Sequence, residues 1–189
     1  MENLKQYLNS FFRLSTDELE AVIACFKPEK INKGESLLRQ DSYSKRLSFI
    51  DHGYIRVYAI VDGKEITQWI SSKGYFVTDL NSFFFGYPAR WNLQALTDAT
   101  LFSISKGDYE QLVEALPGWE KAEKQFIAHC FVTLENRVFS LISLNAEERY
   151  KQFFSENKEL FNEVPLQYLA SMLGMSPETF SRIRSKRLS

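Results

Sequence analysis

The chain has 189 residues, 44% of them hydrophobic and 25% charged, with 23 Lys and Arg against 24 Asp and Glu for a formal net charge of -1. It can bury a core and has room for one domain plus a small second one, which excludes a disordered chain and a large multidomain enzyme. Because there is no overall positive field, any contact with nucleic acid has to come from a local cluster of cations.

Met1-Glu2-Asn3-Leu4-Lys5 opens a polar amphipathic stretch without the apolar core of a signal peptide. Phe11, Phe12, Leu14, Leu19, Val22, Ile23 and Phe26 follow at helical spacing, with Ser15-Thr16-Asp17-Glu18 supplying cap-type residues, so the first 27 residues are predicted as short helices. From Ile31 to about Ser105 the pattern changes to short apolar runs punctuated by Gly34, Gly53, Gly63, Gly74 and Gly86, the turn spacing of a small β-barrel or roll. Its clearest hairpin joins Tyr54–Val61 to Lys64–Ile70 across Asp62-Gly63, a pair that tolerates the positive φ values of a type I′ turn. Ser105-Lys106-Gly107-Asp108 leads into a helix over Tyr109–Leu116, and Pro117-Gly118 opens a longer helix to about Leu144. There Ile127, Phe131, Leu134, Val138 and Leu141 alternate in four- and three-residue steps, with Phe126, Cys130 and Ile142 beside them. That spacing makes a seam for a partner helix, and self-association is the expected use; packing on the β unit is the plainer alternative, and different faces can serve both. No stretch approaches the roughly 20 apolar residues of a membrane-spanning helix.

The final third carries the motif most informative about function. Pro165 suits the start of a helix whose buried face is Leu169, Ala170 and Leu173; Gly174 permits a tight turn; Ser176 caps the next helix and Pro177 takes its first position. Two short helices joined in this way form a helix-turn-helix, whose second helix enters the major groove of DNA. On that helix Phe180 and Ile183 face the core, leaving Pro177, Glu178, Ser181, Arg182, Ser185 and Lys186 outward. Arg182 can donate twice to guanine and Glu178 can accept from cytosine, whereas Arg184, Lys186 and Arg187 suit phosphates. A plain surface pair of helices is the competing reading of the same residues.

Nearly the whole chain resembles the CRP/FNR family of bacterial transcription regulators in its order of N-terminal helices, β-roll, long helix and helix-turn-helix. Glu178-Thr179-Phe180-Ser181-Arg182 is similar to the Glu-x-x-Ser-Arg face of the FNR branch, and Tyr75–Leu80 and Leu144–Tyr150 resemble Bacteroidetes-type members. The resemblance implies that Glu178, Thr179, Ser181, Arg182, Arg184 and Lys186 contact double-stranded DNA at a palindromic TTGA-type site, as a homodimer joined through the long helix. It also implies an effector pocket near Thr78, Asp79, Leu80, Ala89, Arg90 and Trp91, and here the sequence departs from the pattern. Cyclic-nucleotide binders of this family place a Gly-Glu-Leu segment and an Arg followed by Ser or Thr around the ligand. This chain has Thr78-Asp79-Leu80, and a gapless register puts Ala89 where the arginine belongs and Arg90 where the Ser or Thr belongs. Binding of cAMP is therefore expected to be weak, and the effector, a small molecule, is unknown. The expected Asp79–Arg90 pair can be structural or can mark a pocket for another ligand. A second departure is the ending: the chain stops at Ser189, without the β-hairpin wing that follows the reading helix in the family.

No cofactor is expected. Cys25 and Cys130 lack C-x-x-C spacing, which argues against a disulfide framework, a zinc knuckle or a cysteine-ligated cluster and for a reducing cytoplasm; Cys25 reads as a small core hydrophobe. His52 and His129, expected in a turn and on the long helix, cannot form a cupin-type metal site, and no G-x-S-x-G or P-loop motif is present, so an enzyme is not expected. Phe83-Phe84-Phe85 with Trp69, Tyr75 and Trp91 can line an apolar pocket, although core packing explains the same residues. The expected architecture is α+β: a jelly-roll-like double-stranded β-roll sensor domain over residues 1–116, a dimerisation helix over 117–144, and a small helix-turn-helix domain over 145–189 that lacks a complete wing. The function read from it is an effector-modulated, DNA-binding transcription regulator; the alternative is a dimeric sensor or interaction module that has lost DNA binding.

Overall fold

The structure, a computed structural model, describes residues 1–12, 14–117 and 119–188. Of the residues named above, Gly118, Ser189 and the side chains of Phe11 and Arg187 lie outside the described residues. The elements run α1 (Glu2–Phe11), α2 (Thr16–Ala24), β1 (Lys27–Ile31), β2 (Ser36–Leu38), β3 (Arg46–His52), β4 (Ile55–Val61), β5 (Lys64–Ser71), β6 (Phe76–Val77), α3 (Leu80–Phe85), β7 (Asn92–Ala95), β8 (Ala99–Ser105), α4 (Lys106–Ala115), α5 (Trp119–Ser143), α6 (Ala146–Glu156), α7 (Leu160–Glu163), α8 (Leu166–Met172) and α9 (Pro177–Leu188).

The strands form two antiparallel four-stranded sheets, ordered β1-β8-β3-β6 and β2-β7-β4-β5. Alternation along each strand splits its side chains between the inside of the roll and its two outer faces. Ile31, Ile50, Ile55, Val57, Leu93 and Leu101 fill the inside. Phe49 and Phe102, paired across β3 and β8, turn the other way and bury against Leu4, Leu8, Val22, Leu112 and Trp119 of the surrounding helices. The outer face of the second sheet is covered by the C-terminal helices, so that Ile70 and Leu96 share a core with Tyr150, Phe161, Leu169 and Phe180.

Local chemistry sets the boundaries. Ser15 and Glu18 form a reciprocal capping box at the start of α2, and Asn145 and Glu148 form another at the start of α6. Asp62 and Gly63 both have positive φ, 50° and 73°, and close β4 onto β5 in the two-residue hairpin expected from the sequence. Gly53, at φ 93°, is required by a close approach as well: a Cβ there would lie 2.6 Å from the Ala99 Cβ. His52 ends β3 and is exposed beside that turn, and Cys25 is half-buried at the end of α2, less enclosed than the core position expected for it.

Candidate nucleic-acid interface and effector cassette

The helix pair is built around its turn. The N–H of Gly174 donates to the Ser171 carbonyl (3.1 Å) and that of Met175 to the Ala170 carbonyl (3.0 Å), a Schellman ending in which Gly174 takes the left-handed residue at φ 66°. The Arg149 guanidinium closes the same turn from α6, donating to the carbonyls of Leu173 (2.9 Å), Leu144 (2.6 Å) and Gly174 (3.4 Å). Ser176 Oγ then accepts the N–H of Thr179 at 3.2 Å and starts α9. The Ser176 hydroxyl, together with the backbone N–H of Glu178, holds the Glu178 carboxyl below its usual range, so this side chain is an anion at neutral pH.

Phe180 is 1% exposed and packs against the rings of Tyr150 (5.2 Å) and Phe161 (5.9 Å), with Ile183 buried beside it. With those two residues turned inward, Pro177, Glu178, Ser181, Arg182 and Ser185 line one open surface of α9. Lys186 is exposed as well. Thr179 and Arg184 stand elsewhere. Thr179 serves the cap, its hydroxyl 3.3 Å from that of Ser176, and Arg184 lines a separate cleft with Tyr150, Phe154, Lys158 and Phe161.

The segment from Thr78 to Trp91 is arranged by Asp79, which is 1% exposed. Its Oδ1 accepts the N–H of Ser82 (2.9 Å) and caps α3, while its Oδ2 accepts the N–H groups of Arg90 (2.8 Å) and Trp91 (3.1 Å). The expected Asp79–Arg90 pair thus exists through the Arg90 backbone. The Arg90 guanidinium is exposed over the Trp91 ring, 5.2 Å from its centroid. Three backbone donors occupy most of the carboxylate's acceptor capacity and leave little for a ribose hydroxyl. Ala89 is buried, Thr78 bonds to Ser44 Oγ (2.8 Å) and the Arg46 carbonyl (3.0 Å), and Leu80 is exposed.

The aromatic residues considered as a pocket lining do not converge. Phe83 is buried, its ring and that of Phe84 pack on Tyr109, and Phe85 points to solvent, whereas Trp69 contacts Tyr75 and Arg137.

On α5, Phe126 packs into the roll-facing core beside Tyr7 and Phe76. The stripe of Ile127, Phe131, Leu134, Val138 and Leu141 is exposed, with Val132, Phe139 and Ile142 exposed in the adjoining row. Packing on the roll thus falls to Phe126, while the stripe is left exposed in the single chain. His129 and Cys130 are exposed by area as well, Cys130 one turn after Phe126.

Residues 28–115 match the family model of the cyclic nucleotide-binding domain. A comparison with curated proteins finds no match. Among solved structures the chain is similar to FixK2 from Bradyrhizobium japonicum, with 19% identity, TM-score 0.72, and 85% of this chain and 83% of that one covered. It is similar to the c-di-GMP responsive global regulator CLP of Xanthomonas campestris, with 17% identity, TM-score 0.67, and 92% of each chain covered. The catabolite activator protein of Thermus thermophilus is 20% identical, with TM-score 0.58 and coverage of 93% and 84%. Over a shorter stretch, 59% of this chain aligns with 43% of the Toxoplasma gondii PKA regulatory domain crystallised with cAMP, at 18% identity and TM-score 0.53. The chain spans 40% of the cAMP-bound PfPKA-R, also at 18% identity and TM-score 0.53. At these identities the likeness is one of fold.

Two groups of residues that organise the site escaped the sequence reading. Arg149 sits in the stretch Ala146–Glu156, where an arginine reads as a solvated charge. Arg56, Arg137 and Tyr168 bind the helix pair to the roll, and the one visible sign was an arginine inside the apolar run Ile55–Val61. Among the described residues no group of His, Cys, Asp or Glu could hold a metal ion, and no helix is long and apolar enough to cross a membrane.

Proposed function

We propose that this chain is a cytoplasmic, homodimeric transcription regulator that reads DNA with α9 and is modulated by a small-molecule effector acting through the β-roll. The observation that carries the reading is the shared outward face of Pro177, Glu178, Ser181, Arg182 and Ser185 behind a capped turn. Arg182 supplies the two-donor fork that recognises guanine, Ser181 and Glu178 flank it, and Lys186 supplies a cation for the phosphate backbone. The resemblance to the FNR branch makes a palindromic TTGA-type sequence the expected site. Self-association along the exposed stripe of α5 supplies the second reading helix, and a two-fold dimer engages half-sites about 34 Å apart.

The effector differs from a cyclic nucleotide in this reading, because Ala89 offers no charge and Asp79 is already engaged by backbone N–H groups. Two of the relatives by fold, from Thermus thermophilus and Xanthomonas campestris, carry activator or regulator names, which supports the class.

Fluorescence anisotropy with a labelled TTGA…TCAA duplex and a scrambled control, at two salt concentrations and with or without cAMP, tests the proposal. Preference for the palindrome, weakened by salt and indifferent to cAMP, is expected. Equal binding to both duplexes removes sequence reading, and binding to neither leaves the dimeric sensor module as the function.

A further inference from the structure

Arg56 is among the largest fully buried side chains of the described residues, at 1% exposure, yet it belongs to the outer face of β4. What buries it is the helix-turn-helix. Its guanidinium carbon lies 3.7 Å from the centroid of the Tyr168 ring on α8 and 4.2 Å from that of Tyr58 on its own strand, so the cation sits over both rings. Nη1 donates to Glu65 Oε2 at 2.6 Å and Nε to Thr67 Oγ1 at 2.9 Å, both on β5. The N–H of Thr67 in turn reaches across to Ser171 Oγ on α8 at 2.9 Å. A second guanidinium, Arg137 of α5, donates to the Met172 carbonyl at the end of α8 (3.1 Å) and lies 5.1 Å from the Trp69 centroid.

A charge that leaves water stays folded only if paired and hydrogen-bonded, and removal of its partner leaves an uncompensated ion. With Tyr168 over it, Arg56 gains a desolvated cation–π contact that it loses when the ring moves away. If the helix pair moved away, Thr67 and the guanidinium would return to water and the cation would part from the Tyr168 ring. The roll reaches the pair through β4 and β5, a hairpin whose register shifts between Val57 and Tyr58, directly beside Arg56. Such a bulge lets a strand change course locally.

We infer that Arg56 is a positioning residue, an interdomain clasp by which the β4–β5 hairpin holds α8 through Tyr168 and so sets where the reading helix α9 stands relative to the roll. This rests on the DNA-reading proposal for its consequence but not for its existence. Glu65, half exposed, is the one carboxylate paired with Arg56 among the described residues, which leaves the clasp open to changes at the hairpin surface.

Hydrogen exchange of the full chain without DNA, followed by mass spectrometry, reads the clasp directly. In Arg56→Met and in Tyr168→Leu, amides of α8 and of Thr67 are expected to exchange about tenfold faster or more, a factor within reach of a desolvated cation–π contact. The inner strands β3 and β8 should keep their protection, and Tyr168→Phe, which retains the ring, should behave as the wild type. Because Tyr168→Leu leaves the roll's charges untouched, it decides the matter even if Arg56→Met does not fold. Unchanged exchange in α8 in Tyr168→Leu, or equal acceleration in β3 and β8, overturns the clasp. DNA anisotropy on the same variants separates the two proposals: faster exchange with altered palindrome affinity supports both, and faster exchange in a protein that never binds DNA keeps the clasp and removes the reading. Faster exchange with palindrome affinity unchanged overturns the positioning role.

Discussion

Replacing Phe131 with alanine tests the use of α5 as a dimer seam. Phe131 is 64% exposed in the single chain, at the middle of the stripe. Taking about 200 Å² for an aromatic side chain, roughly 130 Å² of it waits for a partner, worth about 3 kcal/mol at 25 cal/mol per Å². A two-fold seam buries both copies, and alanine retains part of the contact, so the expected loss is about 4 kcal/mol and the dimer Kd rises about a thousandfold. The monomer loses almost no packing and gains helix propensity, so its own stability should stay within about 0.5 kcal/mol. Sedimentation equilibrium across a wide concentration range measures the first quantity and chemical denaturation of the dilute protein the second. A wild-type chain that remains monomeric at high concentration refutes the seam, and so does a Phe131→Ala dimer as tight as the wild type.

The other predictions concern the reading helix and the cassette. Arg182→Ala should cost about 1–3 kcal/mol on the palindrome and relax preference at one guanine, while Lys186→Ala weakens specific and scrambled duplexes alike; equal losses on both duplexes for Arg182→Ala take it out of base reading. Asp79→Ala removes three backbone partners and should destabilise the fold by about 3 kcal/mol, lowering Tm by about 6–12 °C, and scanning calorimetry that finds no shift contradicts the bonding described. In the same assay about 1 mM cAMP should leave the wild-type Tm unchanged, and a clear rise shows that the cassette takes the nucleotide after all. The Glu178 carboxyl is held below its usual range, so it contributes stability above the unfolded-state value of about 4.3 and loses it as pH falls through the lower folded-state value. Melting curves of Glu178→Gln and wild type should therefore converge in acid, and parallel curves from neutral to acid pH reject that role.

The legible features were those encoded within a few residues. Asp62-Gly63 closes a two-residue hairpin because both positions accept positive φ, and Gly174-Met175-Ser176-Pro177 ends one helix and starts another for equally local reasons. The four- and three-residue steps of Ile127, Phe131, Leu134, Val138 and Leu141 place them on one face of α5 whatever surrounds it. Alternation likewise put Arg56 on the opposite face of β4 from Ile55 and Val57. Nothing local says what lies over that face, since its cover comes from Tyr168, more than a hundred residues along the chain, and a strand arginine beside water has the same spacing as one beneath a helix. Asp79 shows the same division: its short side chain after a strand suits a helix cap, but the N–H groups of Arg90 and Trp91 reach it only because the chain folds back through α3. Backbone propensity and side-chain period act over one or two turns, so they set the elements and their faces. The partners of a buried charge depend on contacts between distant segments, which only the packed fold brings within bonding distance.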